Sequence, residues 1–136
     1  MANQRIADGR MPELVATISA IPSGAWNYAA ATGGILNTTT AVTVAPATAT
    51  VRNVLMSVQI MSEALGLATE LAIRDGAGGA VLWRQKIGAG GLLSGLNVDF
   101  SAAPLSGTAG NLLEVVTLSA TVTGAVYFNA QGFQAV

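Results

Sequence analysis

Hydrophobic and polar residues alternate with a period of two along much of this chain, which is the pattern of β-strands that bury one side and expose the other. The clearest example is the segment 54–60. One side of the strand predicted there carries Val54, Met56, Val58 and Ile60, and the other side carries Ser57 and Gln59. We therefore expect a half-buried strand with the first set facing the core.

Threonine and valine predict two more strands at 38–44 and 48–51, because β-branched side chains suit a pleated surface. Pro46 separates the two segments, and its missing amide donor places it in a loop or at a strand start. Alternation predicts a shorter strand at 96–100, after the glycine-rich segment 88–95.

A β-hairpin is predicted over 70–84, where two strand-like segments flank a loop at 75–79 that is rich in glycine. With five unpaired loop residues, the register predicts the pairs Arg74 with Ala80, Ile73 with Val81, Leu71 with Trp83, and Glu70 with Arg84. The last pair brings opposite charges together across the strands, a contribution of roughly 0.2–1 kcal/mol.

A second hairpin is predicted over 115–131, with Thr123 and Gly124 in its turn and Tyr127 across from Ala120. Its core side is predicted to carry Val116, Leu118, Ala120 and Val122. Helical periodicity is weak, since Gly66 interrupts the one candidate segment, 61–69.

These elements predict an all-β fold, a β-sandwich or jelly roll of about seven or eight antiparallel strands. We expect one such domain over residues 21–136. Residues 1–20 contain little apolar material for a core of their own, and we expect an extended N-terminal arm that lies along another protein or a neighbouring subunit.

The composition indicates an unusually neutral surface. Only 10% of the 136 residues are charged, against about 25% in an ordinary soluble domain. Because a net charge of −1 gives little protection against self-association, we expect other subunits to cover much of the exterior. The six basic residues form no cluster that would follow a nucleic-acid backbone, and prolines and glycines interrupt the uncharged stretch 14–51, so we expect neither nucleic acid nor membrane as a partner.

The residue inventory argues against catalysis. Without histidine and cysteine, the chain has no Ser-His-Asp triad, no thiol nucleophile and no thiolate or imidazole metal site, and we expect no cofactor and no enzymatic activity. One enzymatic alternative remains, a glycosidase with a carboxylate pair, because that chemistry needs only two acids. The candidate pairs are Glu70 with Asp75 and Glu63 with Asp99.

Two aromatic residues, Trp26 and Tyr28, have two interpretations. They form a platform on which sugar rings stack, or they anchor a loop or the arm against the core or a neighbouring subunit. We favour the anchoring role.

Three segments resemble small structural proteins of tailed-bacteriophage virions: 24–28 (GAWNY), 73–76 (IRDG) with 82–84 (LWR), and 126–133 (VYFNAQGF). The resemblance implies a jelly-roll decoration or cement protein of the phage head, commonly a homotrimer seated where copies of the major capsid protein meet. It also implies a protein made in the host cytoplasm and located in the virion. Candidate contacts with other subunits are Arg5, Arg10, Trp26 and Tyr28. The alternative is a receptor- or glycan-binding module of a tail fibre or spike on the same kind of sandwich.

Overall fold

A computed structural model describes residues 24–90 and 92–136, so the predicted arm with Arg5 and Arg10 lies outside the described residues. Every regular element in the described part is a strand, which confirms the all-β prediction. No helix there is long and apolar enough to cross a bilayer. In chain order the strands are β1 (Trp26–Tyr28), β2 (Ile35–Leu36), β3 (Val42–Ala45), β4 (Arg52–Ser62), β5 (Thr69–Asp75), β6 (Ala80–Ile87), β7 (Leu93–Asp99), β8 (Leu105–Ser106), β9 (Leu113–Thr117) and β10 (Ala125–Ala135).

The strand pairs are nested. β5 pairs with β6, β4 with β7, β3 with β9 and β1 with β10, all antiparallel, so each pair encloses the preceding one along the chain. This long antiparallel hairpin is rolled into two sheets, β1-β10-β4-β7 and β3-β9-β5-β6. The short strands β2 and β8 add to β10 and β4. Nested pairs distributed over two facing sheets make a jelly roll, which confirms the predicted fold class.

The core lies between the two sheets. Phe128, Leu55 and Ile60 of the first sheet and Leu71 and Ile73 of the second are among the largest side chains that are fully buried. Each such side chain stabilises the fold by about 1.5–3 kcal/mol relative to an exposed position.

Because neighbouring strands are antiparallel, their connections fall at two opposite ends of the sandwich. The first end is formed by 29–41 (which includes β2), 63–68, the described residues 88–90 and 92, and 118–124. The second end is formed by 46–51, 76–79 and 100–112. This division decides which loop residues come together.

The predicted inward side of β4 is wrong at Met56. On β10, Gln131 lies opposite Ser57 and Gly132 lies opposite Leu55, so Met56 has no partner there. This β-bulge reverses the alternation of the strand. As a result Leu55 is fully buried, whereas Met56 is only half-buried.

The predicted register of the first hairpin is also wrong. Asp75 pairs with Ala80, which leaves a four-residue loop, and a bulge at Leu82 then places Ile73 opposite Trp83. The register is therefore shifted by two residues beyond the bulge. A shift of two keeps the residues beyond the bulge on their predicted side of the sheet, since the period of a strand is two. Val81 lies before the bulge, opposite Arg74 and not Ile73, and therefore changes side.

Two further predicted elements are wrong. The segment 115–131 is no hairpin, because β9 and β10 belong to different sheets, and Tyr127 lies opposite Met61. The segment 48–51 is a turn with Thr50 at φ +66°, and the strand begins after it. In both places local composition favoured a strand, while the path of the chain between the sheets required a connection.

Candidate functional site

Exposed apolar side chains gather at the first end of the sandwich, which we call the apolar end (29–41, 63–68, 88–90 with 92, and 118–124, with the adjoining strand termini). Seven large hydrophobic residues are exposed in the described part of the chain, and six of them lie there. The six are Leu36, Met61, Leu67, Leu92, Leu118 and Val122. The seventh, Val136, lies at the opposite end. A clustered set of this kind is typical of an interaction surface, whereas isolated exposed hydrophobics are ordinary.

Charge is nearly absent from the connections of the apolar end, although Glu70 and Lys86 lie at the adjoining termini of β5 and β6. Its four connections contain one ionisable side chain, that of Glu63. The Glu63 carboxylate accepts hydrogen bonds from the Ala125 amide at 2.9 Å and from the Tyr127 hydroxyl at 3.5 Å. Glu63 itself is exposed, so its carboxylate also remains in contact with solvent.

Hydrogen bonds between neighbouring connections hold the apolar end in shape. They run from Leu67 N to Thr121 O at 2.9 Å, from Gly90 N to Leu65 O at 2.7 Å, and from Val122 N to Asn37 Oδ1 at 3.1 Å. Each of these hydrogen bonds joins two different connections, so the connections support one another. A surface held in this way loses less conformational entropy when a partner binds.

Val122 carries backbone strain at the centre of these contacts. Its φ is +67°, a region that β-branched residues rarely adopt, and its side chain is 60% exposed. The strained backbone therefore does not serve to bury the Val122 side chain within this chain. Strained conformations of this kind cluster at sites that bind other molecules.

The predicted contact residues Trp26 and Tyr28 face inward from β1, and both side chains are half-buried against the core. The ring centroids of Tyr28 and Phe128 are 6.3 Å apart. Trp26 packs beside Gly132, where an added Cβ would lie 2.7 Å from Trp26 Cε2. These contacts hold both rings against the core of this chain.

Glu70 and Arg84 come together, although not as directly opposed residues. Arg84 Nη1 lies 3.0 Å from Glu70 Oε1, while the residues directly opposite them are Ala72 for Arg84 and Lys86 for Glu70. The ion pair is therefore diagonal. The Arg84 side chain is 59% exposed, so solvent screens the pair.

The candidate carboxylate pairs are not brought together. Glu70 and Asp75 lie five residues apart on β5, a separation of about 16 Å along a strand. Glu63 follows the end of β4, whereas Asp99 lies opposite Ser57 of that strand, about 20 Å away. Glycoside cleavage requires carboxyl groups roughly 5–9.5 Å apart. Among the described residues there is also no group of three acidic side chains placed to hold a metal ion.

Sequence reasoning missed the apolar end. Leu118 and Val122 were predicted to face the core, yet they are 44% and 60% exposed. A usable signal was present, because the segments between strands combine single large apolar residues with almost no charge. The nesting of the strands was needed to show that these segments meet at one end.

No protein-family model matches the chain, and no curated protein matches it. Among solved structures, the chain is similar to the coat protein of Tobacco streak virus, with 12% sequence identity and a TM-score of 0.41. The match covers 86% of this chain and 90% of that chain. A similarity of this size carries no functional information, so function has to be inferred from the surface of this chain.

Proposed function

We propose that this chain is a structural protein of a tailed-bacteriophage virion, a decoration or cement protein that binds the head and bridges capsid subunits. The observation that carries the proposal is that, of the seven large hydrophobic residues exposed in the described ranges 24–90 and 92–136, six lie at one end, whose connections contain a single ionisable side chain. The resemblance of 24–28, 73–76 and 126–133 to phage virion proteins supports the same role. The protein acts by binding and not by catalysis.

The apolar end is suited to cement a shell. Burying apolar surface contributes about 25 cal/mol per Å², and this contribution does not depend on charge. A protein that binds only the assembled shell stabilises it in proportion to occupancy, and many copies multiply a modest contact. The contribution of the apolar end to binding is therefore only weakly sensitive to salt.

The proposed partners are the major capsid protein and further copies of this chain, arranged as a homotrimer where capsid subunits meet. Arg5 and Arg10 of the proposed arm would contact an acidic groove of the capsid. Sedimentation at several concentrations tests the trimer, and a stable monomer on and off the head would contradict it. Deleting residues 1–20 tests the arm, and unchanged binding to heads would show that the arm is not a contact.

The decisive experiment uses phage heads that lack the chain. Purified wild-type chain is expected to bind these heads and to raise the temperature at which they release DNA. Leu67→Gln, which makes an exposed position of the apolar end polar, is expected to weaken binding about tenfold. Val136→Gln is the matched control, because Val136 is exposed at the opposite end.

Two results would contradict the proposal. One is equal binding by wild type and Leu67→Gln. The other is a small fixed copy number per virion, which would indicate a tail component, whereas a decoration protein occurs in proportion to the capsid subunits.

A further inference from the structure

The outer side of the β1-β10-β4-β7 sheet presents a set of amide side chains in register, which we call the amide face. One row crosses all four strands, and the next row crosses three of them. The first row is Asn27, Gln131, Ser57 and Asp99, and the second is Asn129, Gln59 and Asn97. These residues alternate with buried positions such as Val58 and Ala130, so they point away from the core.

A groove of about 360 Å³ lies on the amide face. Its polar lining comes from three strands and consists mainly of Asn27, Ser57, Gln59, Asn129 and Gln131. No lysine, arginine or acidic residue lines it. The groove is therefore a concave, polar and uncharged site.

Most of the hydrogen-bonding capacity of the groove is unused. Asn129 Oδ1 accepts the Ala30 amide at 2.8 Å, which fixes the plane of this side chain and leaves Nδ2 without a partner in the described part. Ser57 Oγ reaches Gln131 Oε1 only at 3.4 Å. The Gln59 side chain has no hydrogen-bond partner among the described residues and is exposed. Donors and acceptors are thus available side by side for a ligand.

The groove continues into an apolar depression. This second cavity, also of about 360 Å³, shares Asn27 and Gln131 with the groove and adds Trp26, Met56 and Phe133. Trp26 Nε1 is buried and has no acceptor in the described part of the chain. A hydroxyl oxygen in this depression would supply the acceptor that the indole N–H lacks.

We propose that the amide face binds a neutral oligosaccharide. An amide offers a donor and an acceptor in one plane, which matches the neighbouring hydroxyl groups of a sugar ring, and the apolar depression suits the C–H side of the next ring. Phosphorylated, sulfated and carboxylated ligands are disfavoured, because no cation lines the groove and Asp99 lies beside Ser57 in the first row of the amide face. This activity is separate from the apolar end and adds glycan attachment to a protein of the particle surface.

The test begins with the full chain on an array of neutral and acidic oligosaccharides. Binding is expected to neutral members alone. The best neutral member is then titrated by NMR against wild type, Gln59→Ala and Gln131→Ala, and each variant is expected to bind about tenfold more weakly, the effect of one or two lost hydrogen bonds. Gln85→Ala is the matched control, since it removes the same side chain from β6 of the other sheet.

Thermal denaturation of each variant shows whether the fold is retained, and having two variants keeps the test valid if one fails to fold. Absence of binding to every neutral glycan, binding to acidic glycans alone, or wild-type affinity in both variants would each overturn the proposal. Gln59→Ala is also expected to bind phage heads like wild type. The glycan site and the proposed cement function can therefore fail independently.

Discussion

Arg74 and Glu114 lie directly opposite each other on β5 and β9 and form an ion pair between the two strands. Arg74 Nε donates to Glu114 Oε1 at 2.6 Å, and the amide of Gly78 donates to the same oxygen at 2.8 Å. Glu114 is 6% exposed. The buried carboxylate of Glu114 on β9 thus links β5 to β9 and also holds the loop between β5 and β6.

Replacing this carboxylate is expected to destabilise the fold. Glu114→Ala leaves the Arg74 guanidinium and the Gly78 amide without their acceptor, and we expect a loss of about 2–3 kcal/mol in the free energy of unfolding. Urea denaturation measures it. Glu70→Ala is the control, because the Arg84 partner of its ion pair is 59% exposed and solvent screens the pair, which then contributes less than about 1 kcal/mol. Equal losses in both variants would show that burial of the pair does not matter.

Gly132 is expected to tolerate no side chain. Its Cα lies beside the ring of Trp26 at the β4 bulge, so the Cβ of Gly132→Ala would push the ring and the strand apart. We expect a loss of about 1–3 kcal/mol and a change in tryptophan fluorescence. Gly88→Ala is the control, since nothing lies within 4 Å of a Cβ there. Wild-type stability of Gly132→Ala would mean that β1 moves freely relative to β10.

Val122→Asn is expected to have opposite effects on stability and on binding. Asparagine accepts φ near +67° more readily than valine, so relief of backbone strain should stabilise the free chain by about 1 kcal/mol. Loss of the exposed valine should weaken binding to phage heads. Thermal denaturation and a head-binding assay measure the two effects. A variant that is more stable and binds equally well would remove Val122 from the proposed interface.

Acid is expected to weaken the second end of the sandwich through Asp75. Burial raises the pKa of Asp75, but hydrogen bonds from the Thr108 hydroxyl, the Thr108 amide and the Asn111 side chain outweigh it, so the pKa lies below the ordinary value of 3.8. A carboxyl group with a lowered pKa in the folded state stabilises the fold above its unfolded pKa. This stabilisation is lost as pH falls through the lower, folded value.

The corresponding experiment is urea denaturation of wild type and Asp75→Asn between about pH 2 and 6. The two proteins should differ most at pH 6 and converge below the folded pKa of Asp75. Thr108→Ala, which removes one of the hydrogen bonds at 2.6 Å, should reduce the pH dependence without abolishing it. A constant difference across the whole range would show that ionisation of Asp75 is not coupled to folding.

Prediction from sequence succeeded where one strand by itself carries the signal. The strand at Val58 and Ile60 and the short strand that includes Leu96 and Val98 were located correctly, because alternation records which side of a single strand is buried. It failed at Met56, where the unpaired residue depends on the glycine at position 132 of another strand. A bulge depends on how two strands pair, so the residue pattern of one strand does not reveal it.

The features of the candidate sites likewise divide into those set by the local sequence and those set by the pairing of distant strands. The sequence alone determined that this chain folds as β-strands, carries few charges and lacks the side chains of most catalytic centres, since these properties reside in each residue and its nearest neighbours. Tertiary structure decided that Leu67 and Val122 share one end and that Gln59 and Asn129 share one groove. The physical reason is that strands far apart in the sequence pair according to how the two sheets pack around a common core. A local residue pattern does not encode that packing.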